Sequence, residues 1–198
     1  MPTPRGRPAD RSRDVAIRKA ALELLAEVGY EQLSMDAVAT RARSGKNTIY
    51  RRWEGKADLI VDALNQAKGA SEVPDHGCLR ADLHAVADFA VHVEGLVGAS
   101  AWIGVAAAMN RDEQLREVFQ QRFLEPRTQA MRQVFDRAAA RGEIEPGGSD
   151  LLVDTFSALT LLRSLVTGAA LDAAYVRRVM DEVVLPLAGI QATERKNR

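Results

Sequence analysis

Residues 33–53 read LSMDAVATRARSGKNTIYRRW, which parses as a helix, a tight turn and a short second helix. Ser34 is placed to cap the first helix, its hydroxyl accepting from an unpaired amide of the first turn. Met35, Val38, Ala39 and Ala42 recur at helical spacing and give one apolar face. The small Ala39 lets a second helix cross closely. After the turn, Lys46, Asn47, Thr48, Tyr50, Arg51 and Arg52 crowd a helix too short to stand alone, and only Ile49 and Trp53, four residues apart, point inward. A short helix that presents donors and an aromatic ring is built to touch something. This geometry lays a helix in the major groove of DNA. The plainer alternative is a solvated helical hairpin, since such pairs are common in helical proteins.

The charge distribution favours the first reading. Residues 1–56 carry 12 Lys+Arg and 7 Asp+Glu, a net of +5; the other 15 and 20 fall in residues 57–198, a net of −5. The balanced total of 27 against 27 therefore hides a polar split, with a nucleic-acid-binding end joined to an end that does something else. Pro4-Arg5-Gly6-Arg7-Pro8 adds to this. The prolines hold the backbone extended, Gly6 permits close approach to a groove floor, and Arg5 and Arg7 suit a narrow, electronegative minor groove. The pentad resembles an AT-hook core; the alternative is a basic terminus disordered without DNA.

Around the motif, residues 13–28 place Val15, Ile17, Ala20, Ala21, Leu24, Leu25 and Val28 in a helical stripe. Asp10 or Ser12 can cap it, and Gly29 supplies a left-handed stop. A fourth helix over 56–68 carries Ala57, Leu59, Ile60, Ala63 and Leu64, and Lys56 stands at its start, where a phosphate can dock.

With these residues in view, the chain resembles the tetracycline-repressor (TetR) family of transcriptional regulators. The resemblance rests on Ala20-Ala21-Leu22-Glu23-Leu24-Leu25, Gly29-Tyr30, Leu33-Ser34-Met35, Val38-Ala39, Lys46, residues 48–53 and Lys56-Ala57-Asp58-Leu59-Ile60. It covers about the first 65 residues in register. Two departures fall in the turn, where the family carries Gly and an aliphatic residue and this chain carries Arg43 and Ser44. A non-glycine residue in a left-handed turn costs about 1 kcal/mol, so the turn is expected to be slightly reshaped, with Arg43 free to reach a phosphate. Gly45 stands where a capping serine is usual and caps less well.

Beyond a polar join at 71–77 only helical patterns are seen. Leu79, Leu83, Val86, Ala90, Val93 and Val97 form one apolar face. Residues 99–109 are nearly all small or apolar, predicting a helix buried almost all round. Residues 111–141 form a long amphipathic pattern that Pro126 should kink or divide. Helices over 150–167 and 172–185 close the chain and carry more apolar residues than one core face requires. The fold class expected is all-α: a three-helix helix-turn-helix DNA-binding domain joined by a fourth helix to a larger helical ligand-binding and dimerisation domain. Its bounds are a flexible basic arm at 1–12, the helix-turn-helix domain at 13–55, a connecting helix at 56–70, the regulatory domain at 71–189 and a polar tail at 190–198.

The resemblance implies that the last two helices pair with their copies across a two-fold axis, through Leu152, Phe156, Leu159, Val176, Val179, Met180 and Val183. The alternative is a helix sandwiched inside one monomeric core. It also implies an effector cavity among helices 79–141. Candidate lining residues are Phe89, Val93 and Leu96, then Trp102, Val105 and Met109, then Phe119, Phe123 and Met131. Any of these equally suits plain core. Few charges stand among them, which suits a lipophilic or aromatic ligand.

On the recognition helix, Asn47 suits an adenine edge, Lys46 a guanine, and Thr48 or Tyr50 a thymine methyl. Ser34, Arg43, Tyr50, Arg51, Arg52 and Lys56 suit phosphates, which set register. The reading is a ligand-responsive repressor that binds a palindromic operator as a homodimer. Its rival is a DNA-binding or protein-interaction module without an effector.

Other classes find little support. His84, Asp88 and His92 lie opposite the apolar face of their helix and should point to solvent, so no metal is expected. Cys78 is the single cysteine, which excludes an intrachain disulfide. With three histidines confined to residues 76–92, and no phosphate loop or nucleophile elbow, neither an enzyme nor a cofactor is expected. No stretch reads as a membrane span or signal peptide, and a cytoplasmic protein is expected.

Overall fold

The computed structural model describes residues 11–69, 73–97, 99–169 and 171–190, with backbone alone for residues 68, 89–97, 99, 100, 164 and 165. Every element among them is helical. Helix α1 (Arg11–Gln32) breaks at Gly29, whose φ of 75° and ψ of 169° are open to glycine, before a last turn through Tyr30. Its buried face is Ile17, Ala20, Ala21, Leu24 and Leu25, joined by Tyr30. Val15 and Val28, expected on that stripe, are exposed. They lie at its edges, beyond the reach of the helices that cover it. Helices α2 (Met35–Arg41), α3 (Lys46–Tyr50) and α4 (Lys56–Lys68) follow, and α4 buries all five apolar residues read from its pattern, together with Val61.

The chain forms two compact units. One joins the described residues up to Ala67 with Ser100–Arg122; the other joins Lys68–Ala99 with the chain from Phe123 onward. The bounds expected from the sequence put 100–122 within the regulatory domain. In the structure this segment, α6 (Ala99–Ala108) and α7 (Glu113–Phe119), packs with the N-terminal helices. Helix α6 buries one stripe, Ala101, Val105 and Ala108, and leaves Ile103 exposed, so it is not enclosed all round. Near-uniform small apolar composition hides which face is covered, because it carries no amphipathic signal.

In the second unit, α5 (Leu79–Val97), α8 (Glu125–Ala140), α9 (Ser149–Leu161) and α10 (Ala173–Val179) surround one core. Its members include Leu79, Leu83, Ala87, Val134, Phe135, Val153 and Val184. Pro126 sits at the start of α8, directly after a π-helical turn at Gln120–Leu124. The wider turn accommodates a residue with no amide to donate. Two more π-helical turns, Leu162–Val166 and Met180–Val184, extend α9 and α10, and a short α11 (Leu185–Leu187) ends the fold.

Asp88 is exposed as expected and His84 half-buried, and both are paired with side chains of the neighbouring helix. His84 Nε2 lies 3.0 Å from Asp181 Oδ1, which also pairs with Arg80, and Asp88 takes both Nη2 and Nε of Arg177. Helix α5 buries Leu79, Leu83 and Ala87, and the positions one residue after each flank the neighbouring helix. The expected face ran through Val86 and set these residues on the far side. His92 lies among the residues with backbone alone.

Candidate nucleic-acid interface

Ser34 caps α2 as its position predicts, its Oγ accepting from the Ala37 amide at 3.1 Å. At the other end of α2 the amide of Ser44 donates to Ala39 O at 2.9 Å and that of Arg43 to Thr40 O at 3.2 Å. These two bonds close a helix of the kind that demands a left-handed residue at the second position. Arg43 supplies it with φ of 50°, the one non-glycine residue with positive φ among those described. Arg43 therefore takes the left-handed conformation itself and carries its strain. Ser44 Oγ is buried without a hydrogen-bond partner, where an aliphatic side chain would pack. Gly45 precedes α3 with no side-chain cap.

Two anchors fix α3. Ile49 and Trp53 are buried, and Trp53 Nε1 donates to Asp62 Oδ2 at 2.7 Å. The same oxygen accepts from Arg18 Nε at 2.7 Å, and the Arg18 guanidinium lies 5.6 Å from the Trp53 ring centre. A helix of five residues is thereby held by α1 and α4 rather than by its own propensity. Asn47, Tyr50 and Arg51 remain exposed on it, with Thr48 half-buried.

The basic residues of the motif divide sharply. Arg41 forms a two-pronged pair with Glu27, both contacts at 2.7 Å, which holds the Glu27 carboxyl below its ordinary range. Arg52 pairs with Asp14 on α1, so it stands as a fastening of α3 to α1. Lys46 pairs with Asp36 at 2.5 Å. Lys56 donates to Tyr30 O at 2.9 Å and sits 4.2 Å from the centre of the Tyr30 ring, half-buried. Arg43 and Arg51 make no ion pair with a described residue and are exposed. Arg5 and Arg7 lie outside the described residues.

Segment 100–122 is fastened to this headpiece by polar contacts. Tyr30 Oη donates to Asp112 Oδ2 at 2.9 Å, Asn65 Nδ2 donates to Arg122 O at 2.9 Å, and Arg122 pairs with the buried Asp58. Burial, then the bond to Asp112, pushes the Tyr30 phenol well above its ordinary range. The Leu115 amide, against the opposing effect of burial and with help from Tyr30, holds Asp112 below the usual carboxylate range. Tyr30 entered the sequence reading only as part of a motif, and Asp58 likewise. Asp112 and Arg122 were not singled out, because their partners lie 82 and 64 residues away.

The expected ligand-lining residues divide between the units. Trp102, Val105, Met109 and Phe119 belong to the first, whereas Phe123 and Met131 belong to the second and are buried there, Met131 within its core. The side chains of Phe89, Val93 and Leu96 lie outside the described residues. Of the expected dimer residues, Leu152, Phe156, Val176, Val179 and Met180 are core members of the second unit, with Leu159 partly buried against them and Val183 half-buried. The apolar surface left over on these helices is carried instead by Leu151, Leu161, Leu162, Val166 and Leu187. Among the described residues no group of three or more His, Cys, Asp or Glu is placed to hold a metal ion, and no helix is long and apolar enough to cross a membrane.

A capped helix, a left-handed turn and an anchored short helix with exposed donors define a helix-turn-helix DNA-binding headpiece. Comparison with known proteins names the class further. Residues 17–63 match the family model for bacterial regulatory proteins, tetR family, and residues 73–183 match that for the tetracyclin repressor-like C-terminal domain. The chain is 33% identical to the DNA-binding transcriptional repressor TetR of Mycobacteroides abscessus, over 89% of this chain and 94% of that one. It is 34% identical to the uncharacterized HTH-type transcriptional regulator YdeS of Bacillus subtilis, over 98% and 97%. The crystal structure of the TetR family transcription regulator SCO0332 superposes with a TM-score of 0.66 at 26% identity, covering 90% of this chain and 97% of that one. The chain belongs to the TetR family of transcriptional regulators, which bind DNA and are not enzymes.

Proposed function

We propose that this chain is a repressor that binds a palindromic operator as a homodimer and leaves it when a small lipophilic or aromatic effector binds. The observation that carries the reading is the exposed face of α3, with Asn47, Tyr50 and Arg51 held outward by the buried Ile49 and Trp53, beside the exposed Arg43. Asn47 pairs with an adenine edge and Tyr50 and Thr48 meet thymine methyls, while Arg43, Arg51 and the Ser34 end of α2 meet phosphates. Arg52 and Lys56 act indirectly, as fastenings of α3 and α4. Arg5 and Arg7 add minor-groove contacts.

The dimer reading is supported by the exposed Leu151, Leu161, Leu162, Val166 and Leu187, an apolar surface that water covers at a cost. A second copy on that surface presents two reading heads to two half-sites about one turn of DNA apart. The effector acts by population shift, binding best to a dimer whose heads are wrongly spaced. Its binding residues are drawn from Trp102, Val105, Met109 and Phe119, and the protein works in the cytoplasm.

Selection of bound sequences from a random DNA pool tests this. An enriched palindrome supports the dimeric reader and supplies a probe for screening effectors by release. Weak, salt-sensitive binding without enrichment refutes it.

A further inference from the structure

Asp36 is the single acidic residue between Leu33 and Trp53, a stretch with five basic ones. It stands in the first turn of α2, and its Oδ2 accepts from Nζ of Lys46, the first residue of α3, at 2.5 Å. The other two paired bases of the stretch, Arg41 and Arg52, reach carboxylates on α1 and so fasten the motif to its support. The pair made by Lys46 lies within the motif itself. Its side chains are 60% and 59% exposed, so water screens them and the pair adds little to stability. Ile49, Val38 and Ala39, all buried, already set how α3 lies on α2. A carboxylate that fastens nothing, on the lysine that leads the recognition helix, calls for another role.

That role follows from charge. A lysine held by a carboxylate neutralises a phosphate only by giving up its partner, and the carboxylate is itself repelled by the DNA backbone. Contacts that ignore sequence therefore gain little from Lys46. A guanine edge offers two acceptors, O6 and N7, at one place in the groove floor, so a head in register regains there, through two bonds, what Lys46 gives up on leaving Asp36. We propose that Asp36 is a specificity-determining residue of the headpiece, holding Lys46 away from phosphates so that it contributes to operator binding and little to non-operator binding. The inference rests on the reading of α3 as the recognition helix.

The test compares the full-length protein with Asp36→Asn, Lys46→Ala and the double variant. Fluorescence anisotropy follows binding to a scrambled duplex and to the selected operator across a salt series. One added phosphate contact steepens the slope of log affinity against log salt by about 0.9, which is about eightfold in affinity at 0.1 M salt relative to 1 M. Asp36→Asn is expected to show this on the scrambled duplex and to narrow the operator-to-scrambled ratio, and to show neither in the Lys46→Ala background. Equal tightening with and without Lys46 means plain repulsion by the carboxylate and overturns the proposal, as does an unchanged slope. The scrambled-duplex comparison needs no operator, so a failure to enrich any site refutes the proposed function while the role of Asp36 is still decided.

Discussion

Replacing Arg43 with glycine should make the protein more stable and a poorer binder of DNA. Arg43 holds φ at 50° while the bonds from its own amide and that of Ser44 close α2. A side chain in that region costs about 1–2 kcal/mol, which glycine does not incur. Glycine loses about 0.4–1 kcal/mol through the greater freedom of the unfolded chain. Arg43 is exposed and makes no ion pair with a described residue, so little else is lost with its side chain. The balance favours glycine by about 0.5–1 kcal/mol, or about 2 °C in melting temperature for a chain of this size. Removing one phosphate contact should flatten the salt slope by about 0.9. Urea melts followed by circular dichroism and anisotropy titrations at several salt concentrations read both effects. Arg43→Asn serves as a companion, since asparagine tolerates the left-handed region and also lacks the charge. A glycine variant less stable by 1 kcal/mol or more would refute the strain argument, and an unchanged slope would refute the phosphate contact.

Four further outcomes are expected. Ser44→Ala removes a buried hydroxyl with no hydrogen-bond partner and should stabilise by about 1 kcal/mol in a urea melt; destabilisation would show the hydroxyl is satisfied by water. Thr48→Ala with Tyr50→Ala should abolish operator binding in a gel shift while the thermal melt stays unchanged, and a lowered melt would place these residues in the core instead. Because Asp112 titrates below its ordinary range in the folded protein, its contribution is full at neutral pH and is lost as pH falls through about 4 and below. Asp112→Asn, which still caps α7, should therefore flatten the acid limb of a stability profile, and an unaltered limb would count against Asp112 titrating low in the folded protein. Leu162→Glu with Val166→Glu should convert the protein to a monomer in sedimentation velocity; a surviving dimer would put the interface elsewhere.

The headpiece was legible in the sequence because its signals are local. Ser34 caps within three residues, Gly29 breaks α1 where a left-handed residue is needed, and Ile49 with Trp53 marks the inward side of α3. The state of its charges was not legible. Arg52 looks like a free phosphate ligand until α1 brings Asp14 against it across 38 residues of chain. Lys56 looked like a phosphate ligand for the same reason, and the structure gives it to Tyr30. In the second unit the pattern identified apolar helices but not which side chains they would share with one another. Leu152 and Phe156 went inward and Leu151 and Leu162 outward, a choice made by the neighbouring helices rather than by spacing.

The fastening of 100–122 to the N-terminal helices bears on how this protein can be taken apart. A fragment cut after α4 would look like a complete reading head by its motif, yet it would lose the Arg122–Asp58 pair and the Tyr30–Asp112 bond. The portable module is thus discontinuous, and a chimera built by splicing at the end of α4 should inherit a weakened head unless Ser100–Arg122 travels with it.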